Sequence, residues 1–218
     1  MLYGLPHYNW RFHMKTRFLL FTACLLIVFS SCSSKSKENA TVQTDPAVSS
    51  AAINPMITDN NPEPIENRKD SLVLRTPCTD LAPEAVASEE YKVLEKKLIA
   101  TVTSPEQDGV GIAGPQVGLL RRVVAVQRFD KEGEPFEVYP NIRVIRTRGE
   151  MAAGGEGCLS VPNRRGEVLR YQDIDISYTS PFTLKDTTET IKGFTAVIFQ
   201  HETDHLDGVL YIDKLVAE

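Results

Sequence analysis

The pattern that most constrains this chain is His201-Glu202-x-x-His205, a pair of histidines four residues apart near the C-terminus. In an α-helix, four residues turn through about 400°, so the two histidines lie one turn apart on the same face. Two imidazoles in this arrangement bind one divalent metal ion, and Glu202 beside them exchanges a proton with a water molecule. The alternative is an ordinary helix that carries two histidines by chance. A third ligand, an oxyanion-stabilising group and a substrate pocket elsewhere in the chain favour the metal site.

Length and composition limit the classes of protein to which the chain can belong. Its 218 residues accommodate one domain with extensions, and a hydrophobic share of 42% is enough for a core. The net charge of -5 argues against a nucleic-acid partner, which usually requires a basic face. There is no uninterrupted apolar run of about 20 residues, so no ordinary membrane-spanning helix is expected.

Residues 1–31 have the features of a secretory signal. A basic start is followed by an apolar run from Phe18 to Phe29 and by small residues before Cys32. This order resembles a bacterial lipoprotein signal, in which Cys32 becomes the lipidated first residue of the mature protein, although Phe29 stands where Leu is usual. The signal begins more naturally at Met14 than at Met1. The alternative is a buried N-terminal helix of the folded domain.

Residues 32–67 are rich in Ser, Asn, Pro, Thr and charged residues, and large apolar residues are sparse. Burial in such a segment cannot offset the entropy lost on ordering, so a flexible tether is expected. The tether leads to a folded domain at residues 68–218. On this interpretation the protein is exported and held at a membrane by a lipid on Cys32, and the alternative is a cytoplasmic location.

The hydrophobic pattern within residues 68–218 predicts helices and antiparallel strands. A helix is expected over residues 88–104, ending before Pro105. The segment that precedes the metal residues is apolar almost all round, so it is expected to form a central buried helix. Short strands are expected at 71–76, 122–127, 136–139, 142–147, 174–178 and 209–213. The expected fold class is α+β, with antiparallel sheets around a metal-binding helix.

Two glycine-rich stretches supply further candidate site residues. The stretch from Gly109 to Gly118 contains four glycines and Gln116, the only side chain there with both a donor and an acceptor. It lacks the clear preceding strand of a dinucleotide-binding motif, and a plain glycine loop is the alternative. Cys158 follows Glu156 and Gly157, a poor setting for a core thiol. A metal stabilises a thiolate in such a place, whereas a structural free cysteine is the alternative.

Taken in order, three stretches resemble the signature motifs of peptide deformylases. They are Gly109-Val110-Gly111-Ile112-Ala113-Gly114-Pro115-Gln116, Glu156-Gly157-Cys158-Leu159-Ser160 and His201-Glu202-Thr203-Asp204-His205-Leu206-Asp207-Gly208. The second and third match in full, while Ile112, Gly114 and Pro115 depart from the usual first motif. Pro115 removes one backbone donor and restricts Gly114, yet we expect Gln116 to keep its orientation. The resemblance covers residues 70–215.

The resemblance implies a peptide-deformylase-like α+β fold with one metal ion held by Cys158, His201 and His205, and with water in the fourth position. Three protein ligands and one open position are typical of a catalytic site. Asp204 is expected to orient a ligand rather than to react. The implied ion is Fe(II), with Ni(II), Co(II) or Zn(II) as alternatives.

The activity implied by the resemblance is removal of the formyl group from N-formylmethionyl peptides or proteins, with release of formate. Glu202 would carry the proton, while the Gln116 side chain and the Leu159 backbone N–H would stabilise the oxyanion. Gly111 and Gly157 would pair with the substrate backbone. The alternatives are a secreted His-Glu-x-x-His metallopeptidase, which needs no cysteine motif, and a non-catalytic deformylase-like lipoprotein.

Overall fold

The computed structural model describes Asp45 and residues 69–216. The expected signal at 1–31 lies outside the described residues, and so does the expected tether at 32–67 apart from Asp45. The domain boundaries drawn there stay predictions. Within the described part of the chain, no helix is long and apolar enough to cross a membrane.

The described chain contains helices, strands and two short 3₁₀ turns. The helices are α1 (Lys69–Leu74), α2 (Pro83–Val86), α3 (Glu89–Val102) and α4 (Gly193–Leu206). The strands are β1 (Gly111–Ala113), β2 (Val123–Gln127), β3 (Phe136–Pro140), β4 (Arg143–Cys158), β5 (Val161–Thr179) and β6 (Asp186–Lys192). The 3₁₀ turns are Gly114–Val117 and Tyr211–Asp213.

The strands form two antiparallel sheets, which confirms the expected fold class. One sheet has the order β1-β2-β3, and the other has the order β4-β5-β6. In the second sheet β4 and β5 make a long hairpin that turns immediately after Cys158. Helix α4 contacts both sheets, so the histidine pair lies between them.

Strand β2 joins the two hydrophobic cores because its side chains alternate between its two faces. Val123 and Ala125 belong to the core that contains α3. Val124 and Val126 belong to the core that contains α4 and the inner residues of β5. A strand buried on both faces reads as a continuous apolar run, which is the pattern that predicted it.

Helix α3 lies where the sequence predicts a helix. The Ser88 hydroxyl accepts a hydrogen bond from the Tyr91 N–H at 3.1 Å, and Glu89 and Glu90 lie in the first turn. Both features stabilise a helix N-terminus, where backbone N–H groups lack partners. The buried face repeats every three or four residues and consists of Tyr91, Leu94, Leu98 and Val102.

The expectation of a strand at residues 71–76 is wrong, because Lys69–Leu74 is helical. Thr76 closes the last turn, and its hydroxyl donates to the Leu72 carbonyl at 2.6 Å. Leu74 is fully buried while Leu72 is exposed, so a single apolar residue anchors the segment. Strand propensity depends on pairing with a neighbour, and the described residues place no strand beside this segment.

The expected strand at residues 209–213 is also wrong, because Tyr211–Asp213 forms a 3₁₀ turn. The Asp213 carboxylate accepts a hydrogen bond from the Leu210 N–H at 2.9 Å and forms an ion pair with Arg75. A side chain that binds its own nearby backbone competes with strand pairing. The hydrophobic pattern alone does not reveal that competition.

An ion cluster lies beyond the end of β2. Arg128 is 1% exposed, and its guanidinium donates to Asp130 at 2.7 Å, to Glu189 at 2.6 Å and to Glu137 at 3.2 Å. It also contacts the Tyr139 hydroxyl. The cluster therefore connects the β2–β3 hairpin to β6 through one buried cation, whose charge is compensated by three carboxylates.

Candidate metal centre and active site

Cys158, His201 and His205 come together between the end of β4 and helix α4. The ligand atoms of these three residues all lie within 4.8 Å of one another. The Cys158 Sγ lies 3.2 Å from Nε2 of His205. One thiolate and two imidazoles at this spacing suit a single ion with three protein ligands. Cys158 therefore lies where a third ligand could join the two histidines at one metal ion.

Local structure explains how a strand residue reaches the helix. Cys158 is the last residue of β4, and the pairing with β5 shifts register between Gly157 and Cys158. Such an irregularity changes the direction of a side chain at the end of a strand. His201 and His205 lie one turn apart on α4, with ring centroids separated by 5.1 Å. The strand end therefore places its thiol against one face of the helix.

Glu156 holds His201 in a defined orientation. Its Oε2 lies 2.8 Å from Nδ1 of His201, which leaves Nε2 of that ring for a metal ion. The same carboxylate accepts hydrogen bonds from Arg170 at 2.8 and 3.0 Å. Burial alone would raise the pKa of Glu156, but the hydrogen bonds from His201 and Arg170 lower it to about 2. A charged carboxylate behind a ligating imidazole fixes the ring and increases its basicity.

Asp204 is connected to the ligand His201 through other side chains, whereas the sequence suggested a direct contact. It accepts hydrogen bonds from Arg170 at 2.6 Å and from Lys214 at 2.7 Å. Arg170 in turn binds Glu156, which contacts His201. Asp204 can therefore orient His201 only indirectly, through Arg170 and Glu156.

Sequence reasoning missed Glu156 and Arg170 as parts of the site. The available signal for Glu156 was an acidic residue two positions before Cys158, which places both side chains on the same face of a strand. Arg170 left no comparable signal, because it reaches the site only through the pairing of β5 with β4. Tyr211 was also missed; its ring stacks on the His201 ring with centroids 6.1 Å apart.

The second imidazole is enclosed by the protein. His205 is 1% exposed, and its Nδ1 has no hydrogen-bond partner among the described residues. Burial lowers the pKa of His205. The neutral imidazole is the form that binds a metal.

Glu202 is a buried carboxyl group without a protein partner at one oxygen. The residue is 4% exposed, and Oε2 makes no hydrogen bond within the described part of the chain. Burial raises the pKa of Glu202 to about 7. An unsatisfied buried carboxyl is costly in free energy, which points to a ligand or water at this position. A carboxyl that titrates near neutrality is suited to proton transfer.

Gly111 faces this carboxyl across the site. A Cβ at this position would lie 2.5 Å from Oε1 of Glu202 and 2.9 Å from Cγ2 of Ile198. Both distances are shorter than van der Waals contact, so a side chain would displace Glu202 or the helix. The glycine is therefore required by the close approach of β1 to α4.

Gln116 points toward the metal ligands despite Pro115. Its Oε1 accepts a hydrogen bond from the Ala113 N–H at 2.8 Å. Its Nε2 donates to the Ser160 hydroxyl at 3.1 Å and lies 3.9 Å from the Cys158 Sγ. Pro115 occupies the start of a 3₁₀ turn, where a missing N–H has no cost. The expected orientation of Gln116 is thus compatible with the altered glycine motif.

A groove of about 470 Å³ lies in front of the three ligands. One wall is formed by residues 109–111, and the opposite wall by residues 155–159, so Gly111, Gly157 and Leu159 all line it. Helix α4 contributes an apolar floor from Phe194, Val197 and Ile198 beside His201 and Glu202. The expected substrate-binding and oxyanion residues therefore surround one cavity.

A second cavity of about 460 Å³ is lined by Asp204 and Arg170, among other residues. Its basic residues are already bound to carboxylates: Arg170 and Lys214 to Asp204, Arg122 to Asp207 and Arg143 to Asp80. It contains none of the three metal ligands, so the groove in front of them is the candidate active site.

Several peptide deformylases are similar to this chain in sequence or in structure. A peptide deformylase of Symbiobacterium thermophilum is 35% identical over 144 residues, which span 65% of this chain and 65% of that relative's length. The crystal structure of peptide deformylase from Thermotoga maritima has a TM-score of 0.59 and 31% identity, covering 66% of this chain and 92% of that one. A Met-ala-ser bound class I type b peptide deformylase from Acinetobacter baumannii has a TM-score of 0.63 and 28% identity, covering 76% and 99% of the two chains. The family model described as polypeptide deformylase matches residues 62–218. The family match, together with the three candidate ligands and the buried Glu202, shows that the chain belongs to the polypeptide deformylase family.

Proposed function

We propose that this protein hydrolyses the formyl amide of N-formylmethionyl peptides or proteins, releasing formate and a free amino terminus. The observation that carries the proposal is the buried, unpartnered Oε2 of Glu202 beside the Cys158, His201 and His205 cluster. A metal site with a proton carrier at its edge supplies the groups that metal-assisted hydrolysis of an amide uses.

The donor set fits one divalent ion, and Fe(II) is the proposed one. Cys158, His201 and His205 would hold it, with the other nitrogen of His201 occupied by Glu156. One thiolate and two imidazoles also accept Ni(II), Co(II) or Zn(II), which are the alternatives. When bound, such an ion supplies Lewis-acid polarisation and makes a water molecule more acidic.

The chain's own residues perform the remaining steps. Glu202 accepts a proton from the attacking water and donates it to the nitrogen that leaves as the free amine. The Gln116 amide and the Leu159 backbone N–H donate hydrogen bonds to the oxygen of the formyl group as it becomes negatively charged. Gly111 and Gly157 pair with the peptide backbone, and the apolar floor of the groove holds the methionine side chain.

The direct test is product analysis with formyl-Met-Ala-Ser. The full chain, loaded with Fe(II) in the absence of oxygen, is expected to release one formate for each Met-Ala-Ser formed. A coupled formate assay and mass spectrometry measure the two products. Cleavage at an internal peptide bond would favour the metallopeptidase. Absence of both products in a metal-loaded protein would favour the non-catalytic lipoprotein.

We further propose that the protein is exported and attached to a membrane through a lipid on Cys32. The support is the order of a basic start, an apolar run and small residues before this cysteine. Labelling with a radioactive fatty acid is expected in the intact protein and not in Cys32→Ser. Equal labelling of both proteins would contradict the attachment and favour the cytoplasmic alternative.

A further inference from the structure

The substrate groove lies between two edge strands. Strand β1 is at one edge of its sheet, and β4 is at one edge of the other sheet. Residues from both strands line the groove, and β5 covers the opposite edge of β4. The groove therefore presents unpaired backbone groups from at least one open edge, which is a template for an extended peptide.

The open edge of β4 continues beyond the groove. Gly155 lines the groove, and Met151, Ala152, Ala153 and Gly154 precede it, all exposed to solvent. No charged residue occurs between Glu150 and Glu156. Edge strands are usually protected by charge, proline or a covering element. Among the described residues, none of these protects this stretch.

The stretch is also regular enough to pair with another strand. Residues 151–157 match seven consecutive residues of β5 in an unbroken antiparallel register. The register shifts before Met151, where Gly149 adopts a φ of +74°, and again after Gly157. At about 3.4 Å per residue, the regular edge extends roughly 20 Å from the catalytic end.

The direction of β4 determines how a substrate would lie on it. The strand ends at Cys158, next to the unpartnered carboxyl of Glu202, which points into the groove. A peptide whose formyl end is at this carboxyl must run away from Cys158 and toward Met151. Its course is then antiparallel to β4, the arrangement that best pairs two adjacent strands.

We propose that residues 151–155 of β4 bind the part of a formylated polypeptide that follows its first three residues, as an added antiparallel strand. The inference rests on the proposed function for the identity of the formyl end. The substrate class is then an extended, unfolded N-terminal segment of about seven residues, recognised through its backbone rather than through particular side chains.

Peptides of different length test the inference on the unaltered, metal-loaded protein. Formyl-Met-Ala-Ser is compared with a nine-residue peptide that begins with the same three residues. The longer peptide is expected to have a kcat/KM at least about tenfold higher, mainly through a lower KM. N-methylation at successive positions from the fourth onward should reduce this gain at every second position, because only alternate residues of an added strand face β4. Equal kcat/KM values within twofold, or an effect of N-methylation without a period of two, would overturn the inference.

Proline variants locate the effect on the protein. Adjacent residues of β4 direct their N–H groups to opposite edges, so one of Ala152→Pro and Ala153→Pro removes a donor from the open edge. That variant is expected to lose the length advantage. Thr188→Pro on β6, the opposite edge of the same sheet, is the matched control and should retain it. Loss of the advantage in Thr188→Pro alone would contradict the assignment.

A binding measurement separates this inference from the proposed function. The affinities of unformylated Met-Ala-Ser and of the unformylated nine-residue peptide are measured by calorimetry with the Glu202→Gln protein. Tighter binding of the longer peptide supports the added strand even if no formate is released by the wild type. Equal affinities reject the added strand even if formyl-Met-Ala-Ser is hydrolysed.

Discussion

The carboxylate of Glu156 lies 2.8 Å from Nδ1 of His201, and Arg170 binds the same carboxylate with two hydrogen bonds. This arrangement leaves Nε2 of His201 directed at the metal site. The three residues belong to β4, α4 and β5, so the orientation of one ligand depends on both sheet pairing and helix packing.

Removal of this carboxylate should weaken metal binding. In Glu156→Ala, the His201 ring loses its partner and Arg170 loses one of its two carboxylates. We expect metal affinity to fall by about 10- to 100-fold, measured by competition with a chelator. Glu150→Ala changes an exposed carboxylate on the same strand and should retain wild-type affinity. An unchanged affinity in Glu156→Ala would show that the hydrogen bond does not orient the ligand.

Gly111 should not tolerate even one added methyl group. In Gly111→Ala, the new Cβ would lie 2.5 Å from Oε1 of Glu202, so the carboxyl must move. We expect kcat/KM for formyl-Met-Ala-Ser to fall by about 100-fold or more, since small displacements of catalytic groups have effects of that size. Metal content should stay near one ion per chain, because the ligands lie elsewhere. Wild-type kinetics in this variant would contradict the geometry.

Gln116 is expected to act on the transition state rather than on substrate binding. Its Nε2 lies 3.9 Å from the Cys158 Sγ, and the residue lines the groove. Gln116→Ala should lower kcat by about 10²- to 10³-fold with a small change in KM. Gln172→Ala, outside the groove, is the control for loss of a glutamine side chain. A change confined to KM would assign Gln116 to binding instead.

Acid should destabilise the fold through the Arg128 cluster. Hydrogen bonds from Arg128 lower the pKa of Asp130, and Lys131 and Tyr139 lower the pKa of Glu137 against the effect of burial. The pKa of such a carboxyl is lower in the folded state than in the unfolded state, where it is about 4. The carboxyl therefore stabilises the fold at pH values above about 4, and the stabilisation is lost as the pH falls through the folded-state pKa. The free energy of unfolding, measured in urea with a chelator present, should therefore decrease below about pH 4.

The same cluster provides a variant test. Arg128→Met leaves three carboxylates without their shared cation, so we expect the protein to be less stable by about 3–5 kcal/mol at pH 7. The acid-dependent decrease should also become smaller than in the wild type. Lys92→Met, at an exposed residue on α3 that forms an ion pair with Glu89, should change stability by less than about 1 kcal/mol. Equal stability of Arg128→Met and wild type would contradict this account of the cluster.

The sequence was most informative where a short spacing determines the geometry. The interval between His201 and His205 predicts a shared helix face, a continuous apolar run predicts β2, and alternation of apolar residues predicts part of β5. It was least informative where distant residues decide the structure. Lys69–Leu74 forms a helix instead of the expected strand, because no described strand pairs with it. Tyr211–Asp213 forms a turn instead of the expected strand, because the Asp213 side chain binds the nearby backbone.

Residues that reach the site only through the tertiary fold also escaped prediction. Arg170 contacts Glu156 because β5 pairs with β4 over many residues, and no local pattern reports that register. The orientation of Gln116 was expected, but it depends on a 3₁₀ turn that begins at Gly114, which the glycine-rich stretch permits without specifying. The apolar floor of the groove likewise follows from the packing of α4 between two sheets.

The central claim is that Glu202 transfers the proton during removal of a formyl group at the Cys158, His201 and His205 site. Formate release from formyl-Met-Ala-Ser by wild type and Glu202→Gln, at equal metal content, tests it most directly. We expect kcat to fall by at least about 10³-fold in Glu202→Gln, while Glu150→Gln retains wild-type kcat. Formate release by Glu202→Gln at the wild-type rate would contradict the claim.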